Sequence, residues 1–269
     1  MSNVRRAHAA VARLPEYASE ALGLALFMVS ACGFALVLEH PGSPVREAIA
    51  PSALRRALMG LAVGATLVAN VHTPWGRRSG AHWNPAATLA FWRLGHVRTA
   101  DALAYILAQF VGAATGAAIA GLCAQGALAD PHVHWVVTKP GMYGWPAAFA
   151  AEFAMAFVLF TVVLWLSAST RHAGLTPWAA GALVALYITF EAPISGMSLN
   201  PARTFGSALL ARDWSGYAIY VFAPALAMLA AAEWRVRQCA RTGRVIPGCA
   251  KLLHRAEDDC VFCGQRGAM

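Results

Sequence analysis

The chain has 269 residues, of which 58% are apolar and only 13% charged, with a mean hydropathy of +0.52. That composition lies outside the soluble globular range and marks an integral membrane protein. Its 21 Lys and Arg against 13 Asp and Glu do not point to nucleic acid, because most of the excess lies in the N-terminal segment, short loops and C-terminal tail, where it sets topology.

The N-terminal segment, residues 1–16, has scattered Arg and no apolar core followed by a small-residue cleavage site, so the first span is expected to insert uncleaved. Apolar runs long enough to cross ~30 Å of hydrocarbon lie at residues 17–38, 53–71, 99–123, 146–168, 177–190 and 217–234. Between the second and third runs stands Ser79-Gly80-Ala81-His82-Trp83-Asn84-Pro85-Ala86. Between the fifth and sixth it returns, altered, as Ser195-Gly196-Met197-Ser198-Leu199-Asn200-Pro201-Ala202, followed by Arg203.

Each copy reads as a helix start: Asn is a preferred N-cap, and Pro tolerates the first helical position, where no N–H is needed. Gly95 and Asp213 then interrupt the helices after a few turns, so neither half-helix can span a bilayer.

A further likeness links Glu20 in Tyr17-Ala18-Ser19-Glu20-Ala21 to Glu152 in Ala150-Ala151-Glu152-Phe153-Ala154. The chain is therefore two halves of three spans, at 17–123 and 146–235, within a membrane domain of 17–235. An odd number of spans per half inverts the second half, which sends the two half-helices in from opposite faces. The expected fold is an all-α membrane protein with six transmembrane helices plus two re-entrant half-helices in an inverted repeat.

Arg5, Arg6, Arg77, Arg78, Arg93 and Arg98, together with the Arg-rich tail, place both termini in the cytoplasm by the positive-inside rule. Small residues at helical spacing, Gly60 with Gly64 and Gly112 with Gly116, are suited to close helix packing.

Irregular backbone at membrane depth must be buried in protein or line a water-filled cavity, so two re-entrant segments imply a lumen. Two half-helix N-termini meeting there would oppose cations and protons while leaving neutral solutes unopposed. Asn84 and Asn200, capping with their oxygens, would turn their NH₂ groups toward whatever passes. Arg203, an ionisable residue at membrane depth, would add fixed donors and a cation barrier.

With these residues in view, the sequence resembles the major intrinsic protein family, the aquaporins and aquaglyceroporins, over 17–234. The resemblance implies one pore per protomer, a homotetramer and a narrow filter, which matching by spacing places at Val63 or Gly64, Ile188, Met197 and Arg203. Strictly water-selective relatives carry an aromatic and a His there, and this chain has neither. Glycerol-conducting relatives usually place an Asp where this chain has Thr204, while Ala208 and Tyr220 look more like the water-channel pattern.

The resemblance also gives Glu20 and Glu152 a scaffold role, accepting hydrogen bonds from the re-entrant loops, with His82 bracing its loop.

The expected function is a passive channel in the plasma membrane for water and other small neutral solutes, excluding ions and protons. The alternatives are a glycerol facilitator with little water selectivity and a secondary transporter built on the same inverted repeat. No enzymatic activity is expected, since the membrane core holds no nucleophile and base together.

Residues 236–269 form a tail the channel family does not require, and deletion of residues 251–269 is expected to spare conduction. There Cys249, His254, Cys260 and Cys263 have the residue types and the Cys-x2-Cys spacing of a small zinc site, beside the alternatives of a redox-sensitive thiol pair and an uninvolved tail. No cofactor is expected for the channel itself.

Overall fold

The structure, a computed structural model, describes residues 13–243, 245, 248–254, 260 and 262. Arg5, Arg6, Arg244, Arg255, Arg266 and Cys263 lie outside the described residues.

Among the described residues, six helices are long and apolar enough to cross a membrane. In chain order the α-helices are α1 (Leu14–Glu39), α2 (Pro44–Ala48), α3 (Ser52–His72), α4 (Pro74–Ser79), α5 (Pro85–Arg93), α6 (Thr99–Ala124), α7 (Gly144–Ser167), α8 (Thr176–Phe190), α9 (Ala192–Ser195), α10 (Pro201–Ala211) and α11 (Tyr217–Arg241). The spans α1, α3, α6, α7, α8 and α11 match the apolar runs of the sequence to within a few residues, except that α11 continues past residue 235 to Arg241.

The two faces of the bundle are fixed by contacts between helix ends. Arg13 and Tyr17 at the start of α1 both meet Asp101 at the start of α6, and Arg93 at the end of α5 meets Glu233 near the end of α11. This is the tail face. On the opposite, loop face, Arg55 Nη2 lies 3.0 Å from Glu39 Oε2, joining the end of α1 to the start of α3.

Packing between spans depends on missing side chains. A Cβ on Gly112 would stand 2.2 Å from Ala21 O, and one on Gly64 2.5 Å from Gly181 O, so α6 on α1 and α3 on α8 approach at backbone contact. The outer faces expose Leu103, Leu107, Val111 and Phe222, and Trp145, Trp165, Trp178 and Trp234 stand exposed near span ends, as an aromatic belt requires.

Candidate functional site

The re-entrant segments are the two places where the chain stops at membrane depth. Asn84 adopts extended backbone, and its Oδ1 accepts from Ala86 N at 2.9 Å; Asn200 does the same, with Oδ1 accepting from Ala202 N at 3.0 Å and Arg203 N at 3.2 Å. Pro85 and Pro201 open α5 and α10 at positions that need no N–H.

Each cap also reaches across the pseudo-twofold axis. Asn84 Nδ2 donates to Leu199 O, and Asn200 Nδ2 donates to Trp83 O, both at 2.7 Å. This corrects the expectation that both amide hydrogens face the lumen: each Nδ2 spends one hydrogen tying the loops together and keeps one.

The supporting residues repeat in the same way. Tyr105 OH donates to Ser79 O and Tyr220 OH to Ser195 O, while Ser79 and Ser195 each accept from the amide two residues on, at 3.2 and 3.1 Å. Glu152 accepts from Ser198 N and Leu199 N, each at 2.7 Å, and from Ser195 Oγ at 2.8 Å. Glu20 accepts from Trp83 N and from Gln109 Nε2 at 2.8 Å. Both carboxylates are fully buried, so the irregular loops' N–H groups find acceptors that lipid could not supply.

Backbone strain is shared too. Ala81 and Trp83 in one loop, and Met197 and Leu199 in the other, have φ between 44° and 60°, a region side chains rarely occupy unless the surroundings hold them there.

A cavity of 540 Å³ runs between the faces. Its loop-face end is lined by Glu39, Arg56, His132 and Val137, its middle by Asn84, Asn200 and Arg203, and its tail-face end by His82 and Leu252. Ile188, Met197 and Val63 also line it. Gly64 does not: it faces α8, where only a glycine fits against Gly181 O.

Met59, one turn toward the loop face from Val63, lines the cavity as well and escaped the sequence reading. The signal is hidden by α4, a six-residue helix standing between α3 and the loop, across which any count back from Asn84 to span two must pass. Arg203 Nη1 is buried and has no hydrogen-bond partner.

At the loop face, Asp213 accepts from His134 Nε2 at 2.9 Å and also contacts Lys139 and Ser215. The Lys139 ammonium, then the Ser215 hydroxyl and His134, hold its carboxyl well below the usual carboxylate range.

At the tail face, His82 Nε2 donates to Ala250 O at 2.8 Å, and Nδ1 faces Thr88 Oγ1 at 3.1 Å. The donor atoms of Cys249, His254 and Cys260 lie within 4.8 Å of one another, a group able to hold a metal ion.

The geometry describes a protein whose paired half-helices enclose a lumen between six spans, which is the architecture of a membrane channel. The major intrinsic protein family profile matches residues 8–233. Aquaporin NIP1-2 of Oryza sativa subsp. japonica is 32% identical over 211 residues, covering 77% of this chain and 65% of that one, so the chain spans just under two thirds of that relative. Aquaporin AqpM of Methanothermobacter marburgensis is 35% identical over 182 residues, covering 65% of this chain and 73% of that one. Among solved structures, the aquaglyceroporin from Plasmodium falciparum shares the fold at a TM-score of 0.69 and 17% identity, covering 85% of this chain and 98% of that one. The chain belongs to the major intrinsic protein family.

Proposed function

We propose that the protein is a passive channel for water and other small neutral solutes that excludes ions and protons. One observation carries this reading: Arg203 brings an unpartnered, buried Nη1 to a cavity that Ile188, Met197, Val63, Met59 and the two Asn caps also line. A guanidinium fixed there offers donors to a solute that has shed part of its hydration, and its charge adds to two half-helix dipoles in opposing cations.

Val63, Ile188, Met197 and Arg203 are the proposed filter, with Met59 extending it toward the loop face. Four apolar side chains beside one cation make a constriction with an oily wall and a single polar edge. That composition favours passage of glycerol- or urea-sized solutes beside water, which keeps a small-solute facilitator as the second reading. A secondary transporter would need coupling groups, and the buried carboxylates Glu20 and Glu152 are engaged by loop amides instead.

The protein is further proposed to assemble as a homotetramer in the plasma membrane, with the tail face cytoplasmic, because Arg77, Arg78, Arg93, Arg98 and Arg235 gather there. Stopped-flow light scattering on proteoliposomes tests the channel reading. Osmotic water permeability well above that of empty vesicles, without saturation in solute, is expected; permeability equal to empty vesicles would refute it.

A further inference from the structure

The strand of tail from Ala250 to Leu253 is bonded directly to the first re-entrant loop. Ala250 O accepts from His82 Nε2 at 2.8 Å, and Leu252 N donates to Gly80 O at 3.0 Å. A Cβ on Gly80 would lie 2.6 Å from Ala250 O and 2.9 Å from Lys251 Cγ, so the approach depends on a bare backbone at Gly80, whose φ of +91° suits glycine as well.

Ala250, Lys251 and Leu253 are buried, Leu252 lines the tail-face end of the cavity, and the Phe262 ring stacks on His82 with centroids 5.6 Å apart. The segment therefore occupies the mouth of the pore.

No helix or strand organises residues 248–254, and ordering irregular chain costs backbone entropy at every residue. Cys249 stands immediately before the plugging residues and His254 immediately after them, so a ligand joining the two would fix both ends of the segment. Their donor atoms and Cys260 Sγ lie within 4.8 Å of one another, with Cys249 Sγ 3.2 Å from Cys260 Sγ. Two thiolates on a tetrahedral zinc at ~2.3 Å would stand roughly 3.8 Å apart, so sub-ångström shifts suffice to seat the ion.

The donor set decides the chemistry. Two sulfurs and an imidazole suit zinc-like cations and not the hard oxygen-seeking ones.

We propose that Cys249, His254 and Cys260 bind zinc, and that this site latches residues 250–253 into the tail-face mouth as a plug that restricts conduction. The latch rests on the channel reading above. In a small metal site the binding free energy is also ordering free energy, so losing the ion releases the segment. On this view residues 251–269 are not a dispensable tail: part of them is seated in the pore.

The test uses the full chain, purified with its thiols reduced and reconstituted in vesicles. Metal content is read by mass spectrometry and water permeability by stopped-flow, in zinc-loaded protein and after a membrane-permeant zinc chelator. About one zinc per chain is expected, as a single site of this donor set implies. Chelation should raise permeability by roughly tenfold, the ratio expected if the open population moves from about a tenth to nearly all. Cys249→Ser with Cys260→Ser should lose the zinc and show the raised permeability without chelator. Leu252→Ala should keep the zinc yet conduct more in the loaded state, which separates plug from latch.

Absence of bound zinc overturns the metal site. Permeability above empty vesicles but equal in loaded, stripped and variant protein overturns the latch while leaving the channel standing. Permeability equal to empty vesicles in every form refutes the channel, and the latch falls with it.

Discussion

The two re-entrant loops are built on one plan and end in different neighbourhoods. Both have a Ser whose carbonyl takes a tyrosine hydroxyl, a left-handed glycine, an Asn cap bonded across to the other loop, and a buried glutamate beneath. They differ where they meet the mouths of the pore. The first places His82 against the tail, where the second has Ser198 bonded to Thr204 Oγ1. The second sends Arg203 into the cavity, where the first has Ala87. What the loops share holds backbone at membrane depth, and what they do not share faces solute or tail.

Removing a shared element should have the largest effect. Glu152→Leu strands the buried Ser198 and Leu199 amides, while Ser195 Oγ keeps Glu191 Oε2 as acceptor, and is expected to destabilise the protein by about 2–4 kcal/mol, at roughly 1–2 for each stranded donor. Fluorescence-detected thermal melting in detergent would show it. Glu20→Leu should cost less, because its Oε2 has no hydrogen-bond partner to lose. Equal losses would break the claim that each glutamate's weight follows from its bonded donors.

Next in size is close packing common to both halves. Gly112→Leu drives a side chain into Ala21 O and should cost about 1–3 kcal/mol by the same melting assay, as overpacking does.

Smaller effects should follow from the residues that distinguish the loops. His82→Ser makes the first loop resemble the second and removes the bond to Ala250 O. It should weaken the tail's hold by about 1 kcal/mol, read as faster proteolysis of the tail at an unchanged core melting temperature.

Asp213 marks the loop face. Its folded pKa lies below its ordinary 3.8, so its contribution to stability is fully present above 3.8 and is lost as pH falls through the lowered value. Melting temperature should therefore drop as the medium is acidified below pH 3.8, and Asp213→Asn should flatten that part of the profile.

Much of the architecture was legible in the sequence because its causes are local. Apolar length gives the spans, Asn-Pro gives the half-helix starts, and the repeated glutamates show what carries the loops. The face of α3 was not legible in the same way. The six residues Pro74–Ser79 close into a helical turn of their own, so a count back from Asn84 left both Val63 and Gly64 open and stopped short of Met59, while the cavity takes Val63 and Met59. The seating of the tail was hidden for a different reason: Ala250 meets His82 across 168 residues, through a backbone carbonyl that any residue type would have supplied. The outward donors of Asn84 and Asn200 were half legible, since an amide can be seen to cap but not to bridge to a second loop.

The central claim is that Arg203 and the paired half-helices select neutral solutes in one lumen. Its most direct test is parallel measurement of water, glycerol, urea and proton flux through wild type and Arg203→Ala, both reconstituted at equal density and freed of bound metal. Wild type should pass water with little proton leak, and Arg203→Ala should keep its water flux while proton and cation leak rises, because one fixed charge is gone and the half-helix dipoles remain. The same selectivity in both proteins for all four would contradict the account, since Arg203 would then not face the passing solute.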